Sequence, residues 1–342
     1  MEYLRVETNH LLHHIQPKAD LKQMSFPKEL NTKSTVASDI GIVILDLDQA
    51  EVTLRCLRSI AAGTVIPYRI VIVQNGPLPI ILSDITLSKL QIKILHPKKN
   101  LGCAGGRNIG ITWLLKNIQI SKIMILDNDT VVTTDFFLKI SQIKQEPLEA
   151  VSPIIYDLST GGIWSCGGII ESSGMIRQLV VKPNTNAEEY SVDWAPGACL
   201  IFSREIWEKV GRFDDWLNFF FEDIEWCCRL RNLGGRVVVN TELRLLHEAN
   251  LSLGGKWSPT RVYFWTRNGT VFNLTIMELG IKSNLKWISG EVISIIINLT
   301  NGRLSWSIEG IHGLVDGLSE SLRRHKLWIK KFFLTSFPLN NN

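Results

Sequence analysis

Lys122-Ile-Met-Ile-Leu-Asp127-Asn128-Asp129 is the stretch on which the fold turns. Its four consecutive apolar residues predict a strand buried on both faces, which runs without a linker into two aspartates one residue apart. The same grammar holds upstream. Ile40-Gly-Ile-Val-Ile-Leu predicts a buried strand, followed by a helix over Ala50 to Ala62 in which Val52, Cys56, Leu57 and Ile60 recur at helical spacing. Arg69-Ile-Val-Ile-Val is a second strand, ending in the turn signal Gln74-Asn75-Gly76-Pro77, and Gln91-Ile-Lys-Ile-Leu is a third. Gly102 to Gly110 reads as a glycine-rich loop entering a helix from about Arg107 to Lys116. Strands and helices alternating in this way predict an α/β fold with a mostly parallel sheet flanked by helices. Ligands of such sheets bind beyond the carboxyl ends of the strands, where Asp46 with Asp48, Gln74 with Asn75, and Asp127 with Asp129 all fall.

Downstream, residues from Val151 to Trp194 are rich in glycine and serine and predict loops with short antiparallel strands. Ser203 caps a helix to Val210, a further helix from Asp223 to Leu233 ends at Gly234-Gly235, and Arg236-Val-Val-Val-Asn is another strand. Beyond about Leu251, Trp257, Trp265, Trp287 and Trp306 are interspersed with lysine and arginine, predicting two or three amphipathic helices. These could pack on the core, pair with another subunit or lie peripherally on an anionic membrane surface. The domains expected are an N-terminal extension at 1–38, an α/β domain at 39–253 and a helical region at 254–342.

Composition narrows the function classes. With 342 residues and 45% hydrophobic content the chain can fill a large core, and a net charge of +4 is too small for a protein that wraps nucleic acid. Six scattered cysteines without a C-x-x-C pair suit reduced thiols in a cytoplasmic protein better than a zinc site or a disulfide framework. The longest apolar stretch, around Ile288 to Leu299, contains Glu291 and falls short of the roughly 20 apolar residues that span a bilayer. His10, His13 and His14 lie close together in the polar N-terminal extension, where a solvated tail is a commoner reading than a metal site.

Two aspartates at a strand end can bind Mg2+ or Mn2+, which accept carboxylate, phosphate and water oxygens. A diphosphate would complete such a shell, and the metal would neutralise charge on a departing phosphate. Asn100-Leu-Gly-Cys-Ala-Gly-Gly-Arg-Asn-Ile-Gly110 has neither the dinucleotide nor the P-loop spacing. Gly102, Gly105 and Gly106 would nonetheless let backbone approach a ligand, with Arg107 and a helix N-terminus facing an anion; the alternative is a tight packing turn. Phe219-Phe-Phe-Glu222-Asp223-Ile-Glu225 sets carboxylates beside large aromatics, which raises a carboxyl pKa toward that of a general base. Glu225 and Arg229 stand at the spacing of a helical ion pair.

These blocks, in this order, resemble family-2 glycosyltransferases of the GT-A fold, in particular the rhamnosyltransferase-like branch. The resemblance rests on N-L-G-C-A-G-G-R-N-I-G, I-L-D-N-D-T-V-V, G-A-C-L-I-F-S-R-E-I-W-E-K-V-G-R-F-D with F-F-F-E-D-I-E-W-C-C-R-L, and L-R-L-L-H, from about Ile40 to Leu253. It implies that Asp129, Asp127 and His247 hold a divalent cation, and that Asp223 is the general base, with Glu222 shaping the site or sharing that role. Trp194, Gly197 and Ala198 would line the donor sugar, and Asp46, Asp48, Asn75 and Arg107 would surround the nucleoside of a UDP- or dTDP-linked donor. Transfer to a hydroxyl of a glycan, lipid-linked or small-molecule acceptor would invert the anomeric configuration. Two positions depart from the family pattern: Leu45-Asp46-Leu47-Asp48 replaces an asparagine-rich strand end, and Gln74 replaces an aspartate that recognises the base. The competing expectations are a nucleotidyltransferase with a related sheet and a non-catalytic nucleotide-sugar-binding homologue.

Overall fold

A computed structural model describes residues 35–144, 146–185, 187–248, 258–277 and 280–336. His10, His13, His14, Trp257 and the domain boundary expected at 253 lie outside the described residues. The described chain forms two compact units, residues 35–170 with 176–248, and residues 171–175 with 258–336.

The first unit opens with β1 (Thr35–Asp46), α1 (Ala50–Ala61), β2 (Val65–Gln74) and β3 (Ile92–Leu95). There follow α2 (Gly102–Leu114), β4 (Lys122–Asp127), β5 (Thr130–Val132), α3 (Phe136–Gln142) and β6 (Glu149–Asp157). Short strands β7 (Ile163–Ser165), β8 (Gly168–Ile170), β9 (Ile176–Gln178) and β10 (Glu189–Val192) come next. The unit closes with β11 (Cys199–Ser203), α4 (Arg204–Val210), α5 (Glu222–Asn232) and β12 (Arg236–His247).

The main sheet runs β10-β12-β6-β11-β4-β1-β2-β3. It is parallel from β4 through β3 and between β12 and β6, while β11 enters antiparallel to β4 and β6. Ile40, Ile42, Val43 and Ile44 of β1 are at most 1% exposed, as a strand covered on both faces requires. Burying each such side chain contributes about 1.5–3 kcal/mol, so this run has no stable alternative at the surface. Register places Leu45 opposite Asp127 and Asp46 opposite Gln74, which gathers the polar strand ends along one edge.

The glycine-rich segment differs from expectation. Gly102 to Gly110 is the first part of α2 rather than a loop before it. A β-carbon at Gly110 would lie 2.5 Å from Val43 Cγ1, and one at Gly106 would lie 2.9 Å from Leu45 Cδ2. The glycines let the helix rest directly on β1, a gain in packing that offsets their poor helix propensity.

The second unit contains α6 (Pro259–Val271), a π-turn over Phe272–Ile276, α7 (Ile281–Thr300) and α8 (Leu304–Ser336). Ser258 Oγ accepts from Arg261 N at 3.3 Å and Pro259 occupies the first turn, a favourable helix start. α6 and α8 approach closely because a β-carbon at Gly313 would lie 2.5 Å from Tyr263 O, and one at Gly317 2.6 Å from Arg267 O. Among the described residues no helix is long and apolar enough to cross a membrane.

Candidate active site

β4 delivers Asp127 and β5 begins at Thr130, so Asp127-Asn128-Asp129 bridges two strands. Side chains alternate there. Asn128 is buried and donates to Thr53 Oγ1 at 2.9 Å, and Thr53 donates to Asp46 Oδ1 at 2.6 Å. Asp127 is left partly accessible, with 34% of its side chain exposed.

β12 pairs antiparallel with β5, setting His247 opposite Thr130. The result is an ion pair between His247 Nε2 and Asp129 Oδ1 at 2.9 Å. Burial alone would pull the imidazole pKa down, but the hydrogen bond and charge of Asp129 outweigh it, and the pKa rises. Trp164 packs edge-on against the ring at 4.4 Å, and His247 Nδ1 is buried without a partner. Candidate ligand atoms of Asp127, Asp129 and His247 lie within 4.8 Å of one another, close enough for one divalent cation. Two carboxylates and an imidazole are a donor set that such a cation accepts.

Arg107, expected beside the nucleoside, is held among the protein's own groups. It is 4% exposed and donates to Glu222 Oε1 at 2.7 Å, Asp127 Oδ1 at 3.1 Å and the Gly197 carbonyl at 3.1 Å. A β-carbon at Gly197 would lie 2.5 Å from Arg107 Nη1, so the guanidinium fits only over glycine. The sequence lists Arg107 as a lone cation in a glycine-rich segment; its two carboxylate partners, 20 and 115 residues away, carry no local signal.

Glu222 opens α5 directly after the aromatic run. Burial, then the charge of Asp223, pushes its carboxyl up to about 7, and Glu222 Oε2 has no partner. Asp223 is half-buried and accepts from Gly197 N and Ile224 N, each at 2.8 Å. Burial raises its pKa, with the two amide bonds opposing. Asn218, Phe220 and Phe221, just before this pair, have φ between 62° and 68°. Non-glycine residues held there store of order 1–3 kcal/mol each, strain that concentrates at functional sites. Trp194 is 5% exposed and lies across Gly168, with its indole Nε1 unpartnered. The pair Glu225 and Arg229 joins at 2.6 Å.

The residues expected around a nucleoside are engaged within the protein. Asp46 is fully buried. Asp48 Oδ1 accepts from Leu78 N at 2.8 Å. Asn75 donates to Gly102 O at 3.0 Å and accepts from Leu101 N at 3.3 Å, tying down the start of α2. Gln74 donates to Leu78 O, and its Oε1 accepts from Ile80 N at 3.5 Å. Two amides at the start of α2, where an anion was expected, are engaged within the protein: Cys103 N and Ala104 N donate to Asn218 O at 2.7 and 3.2 Å. Gly102 abuts Asn218, and Gly105 faces Leu101. Asn218 is a residue that sequence reading missed, because no motif marks a backbone carbonyl that caps a helix more than 100 positions away.

The sequence model for glycosyl transferase family group 2 matches residues 122–292. The dTDP-rhamnosyl transferase RfbF of Shigella flexneri is 26% identical over 178 residues, covering 50% of this chain and 59% of that one. The low-salt glycan biosynthesis hexosyltransferase Agl10 of Haloferax volcanii is 23% identical over 301 residues, covering 84% of this chain and 93% of that one. Among solved structures, GalNAc-T7 with UDP, GalNAc and Mn2+ superposes with a TM-score of 0.54 at 17% identity. The overlap covers 68% of this chain and 50% of that one, and it shows a shared α/β fold of the GT-A type. The chain thus spans less than two thirds of the Shigella relative and half of GalNAc-T7.

Proposed function

The chain belongs to glycosyl transferase family group 2, and from that premise we propose an inverting, divalent-cation-dependent transfer of a sugar from a UDP- or dTDP-linked donor to an acceptor hydroxyl. The observation that carries this reading is the convergence of Asp127, Asp129 and His247 within 4.8 Å, linked through Arg107 to the carboxylates that open α5. Asp127, Asp129 and His247 would hold Mn2+ or Mg2+. When bound, the cation would supply positive charge to the leaving diphosphate.

The chain's own residues perform the rest. Asp223 takes the proton of the acceptor hydroxyl as its oxygen bonds to the anomeric carbon, while the bond to the nucleoside diphosphate breaks on the opposite face. Burial makes Asp223 a stronger base than a surface aspartate, and the amides of Gly197 and Ile224 fix its orientation. Glu222 faces Arg107 and holds that guanidinium against Asp127, so we assign it positioning rather than proton transfer. Trp194 and Gly197 would border the donor sugar. The name of the Shigella relative supports a dTDP-linked deoxyhexose, and that of the Haloferax relative a hexose used in glycan biosynthesis.

Titration calorimetry of the full chain with UDP and with dTDP, each with and without Mn2+, tests the reading. Binding of one nucleotide that strengthens with Mn2+ is expected, and donor screening by product mass would then name the sugar. No binding of either nucleotide in the presence of metal overturns it.

A further inference from the structure

The end of the chain carries its charge. From Ile281 onward eight lysines and arginines face four aspartates and glutamates, an excess equal to the +4 of the whole protein. Everything before Ile281 is formally neutral. The same segment also carries the apolar surface, with 12 of the 22 exposed large hydrophobic residues among those described.

α7 shows why. Half of its 20 residues are isoleucine, leucine, valine or tryptophan, yet none is buried. Leu285, Val292, Ile296 and Leu299 recur at helical spacing along one face and are 41–58% exposed, with Ile293 beside them at 54%. The exposed charges of this helix are Lys282 and Lys286, both at its start. Its one acid, Glu291, turns inward and accepts from Thr266 Oγ1 at 2.6 Å. α8 repeats the pattern, with Leu304, Ile308, Ile311, Val315 and Leu322 exposed at spacings of four, three, four and seven. After Glu320, which Arg323 and Arg324 share, the sequence has no acid, while Lys326, Lys330 and Lys331 follow.

We infer that α7 and α8 form a docking face for an anionic lipid bilayer. The apolar rows enter the headgroup boundary while the lysines and arginines meet lipid phosphates. Charge favours lipid over a second copy on α7, because the only acid of that helix, Glu291, turns inward to Thr266 and leaves its exposed lysines no carboxylate on a facing α7. This face stands independently of the transferase reading.

The test is co-sedimentation of the full chain with vesicles of phosphatidylcholine alone, or equimolar with phosphatidylglycerol, at low and high salt. Partitioning onto the anionic vesicles is expected, falling about tenfold on the neutral ones and in high salt. Val292→Glu with Ile296→Glu should lower it about tenfold or more. Lys282→Ala with Lys286→Ala should lower it less and leave the apolar rows intact. Nucleotide binding in the same preparations reports the fold and should not change. A native chain that stays in the supernatant overturns the inference, as does equal partitioning of the glutamate variant. A native dimer that this variant splits into monomers would instead assign the face to a second copy.

Discussion

At the ends of β1 and β2, polar side chains are spent mostly on the protein itself; around the ends of β4 and β12 and the start of α5, more of their atoms lack a partner. Asp46 serves Thr53, Asp48 and Gln74 serve the backbone near Leu78, and Asn75 ties down the start of α2. Asp46 Oδ2 alone there is buried without a partner, whereas across the sheet His247 Nδ1 and Glu222 Oε2 both are, and Asp127 stays partly exposed. Burying an unpaired polar atom costs about 1–3 kcal/mol, and the two on this side lie around the cluster of candidate metal ligands, where a bound ligand would offset that cost. Both regions carry similar residue types at similar strand ends. Their difference lies in how far a loop or helix has already answered the polar groups.

The largest expected effect on this contrast comes from Asp223→Asn. It should lower kcat about 10²–10⁴-fold while metal-dependent nucleotide affinity stays near native, because the base meets the acceptor. Equal loss of both in calorimetry and turnover would move Asp223 to the donor side. Arg107→Lys comes next. A point charge cannot reach Glu222, Asp127 and the Gly197 carbonyl together, so kcat/KM should fall about 10–100-fold and Mn2+ affinity with it. Native kinetics in this variant would break the link between the two carboxylate groups.

Asp46→Ala probes the other region. It should cost about 1–3 kcal/mol in urea unfolding by stranding Thr53, with nucleotide affinity nearly unchanged. A larger loss of affinity than of stability would erase the contrast. The smallest effect is on pH dependence. The Glu222 carboxyl ionises near 7 when folded against 4.5 in an unperturbed chain. The stability it contributes is therefore complete below about 4.5 and is lost as pH rises through about 7. Tm should decline across that window, and Glu222→Gln should flatten the slope; an unchanged slope would place the titration elsewhere.

Much of the fold was legible in the sequence because buried parallel strands need unbroken apolar runs, and Ile40 to Leu45 and Ile123 to Leu126 supply them. Ser203 was readable as a helix cap, and its Oγ accepts from Ile206 N at 3.2 Å. The start of α2 was not readable. Glycine normally weakens a helix, and its reason here is the Val43 and Leu45 surface beneath it, which lies more than 60 positions upstream. The same holds for the site: the Asp127 and Asp129 pair is visible as spacing, whereas the place of His247 beside Asp129 depends on β5 pairing with β12.

The sequence alone determined which residues would be buried in strands and which acids would stand at their ends, since hydrophobic periodicity and strand termination are local properties. Tertiary structure decided which of those acids remain available. Arg107 illustrates the reason: its charge is written in the sequence, but a buried guanidinium acts through whatever lies within about 3 Å, and chain folding alone brings Asp127, Glu222 and Gly197 to that distance.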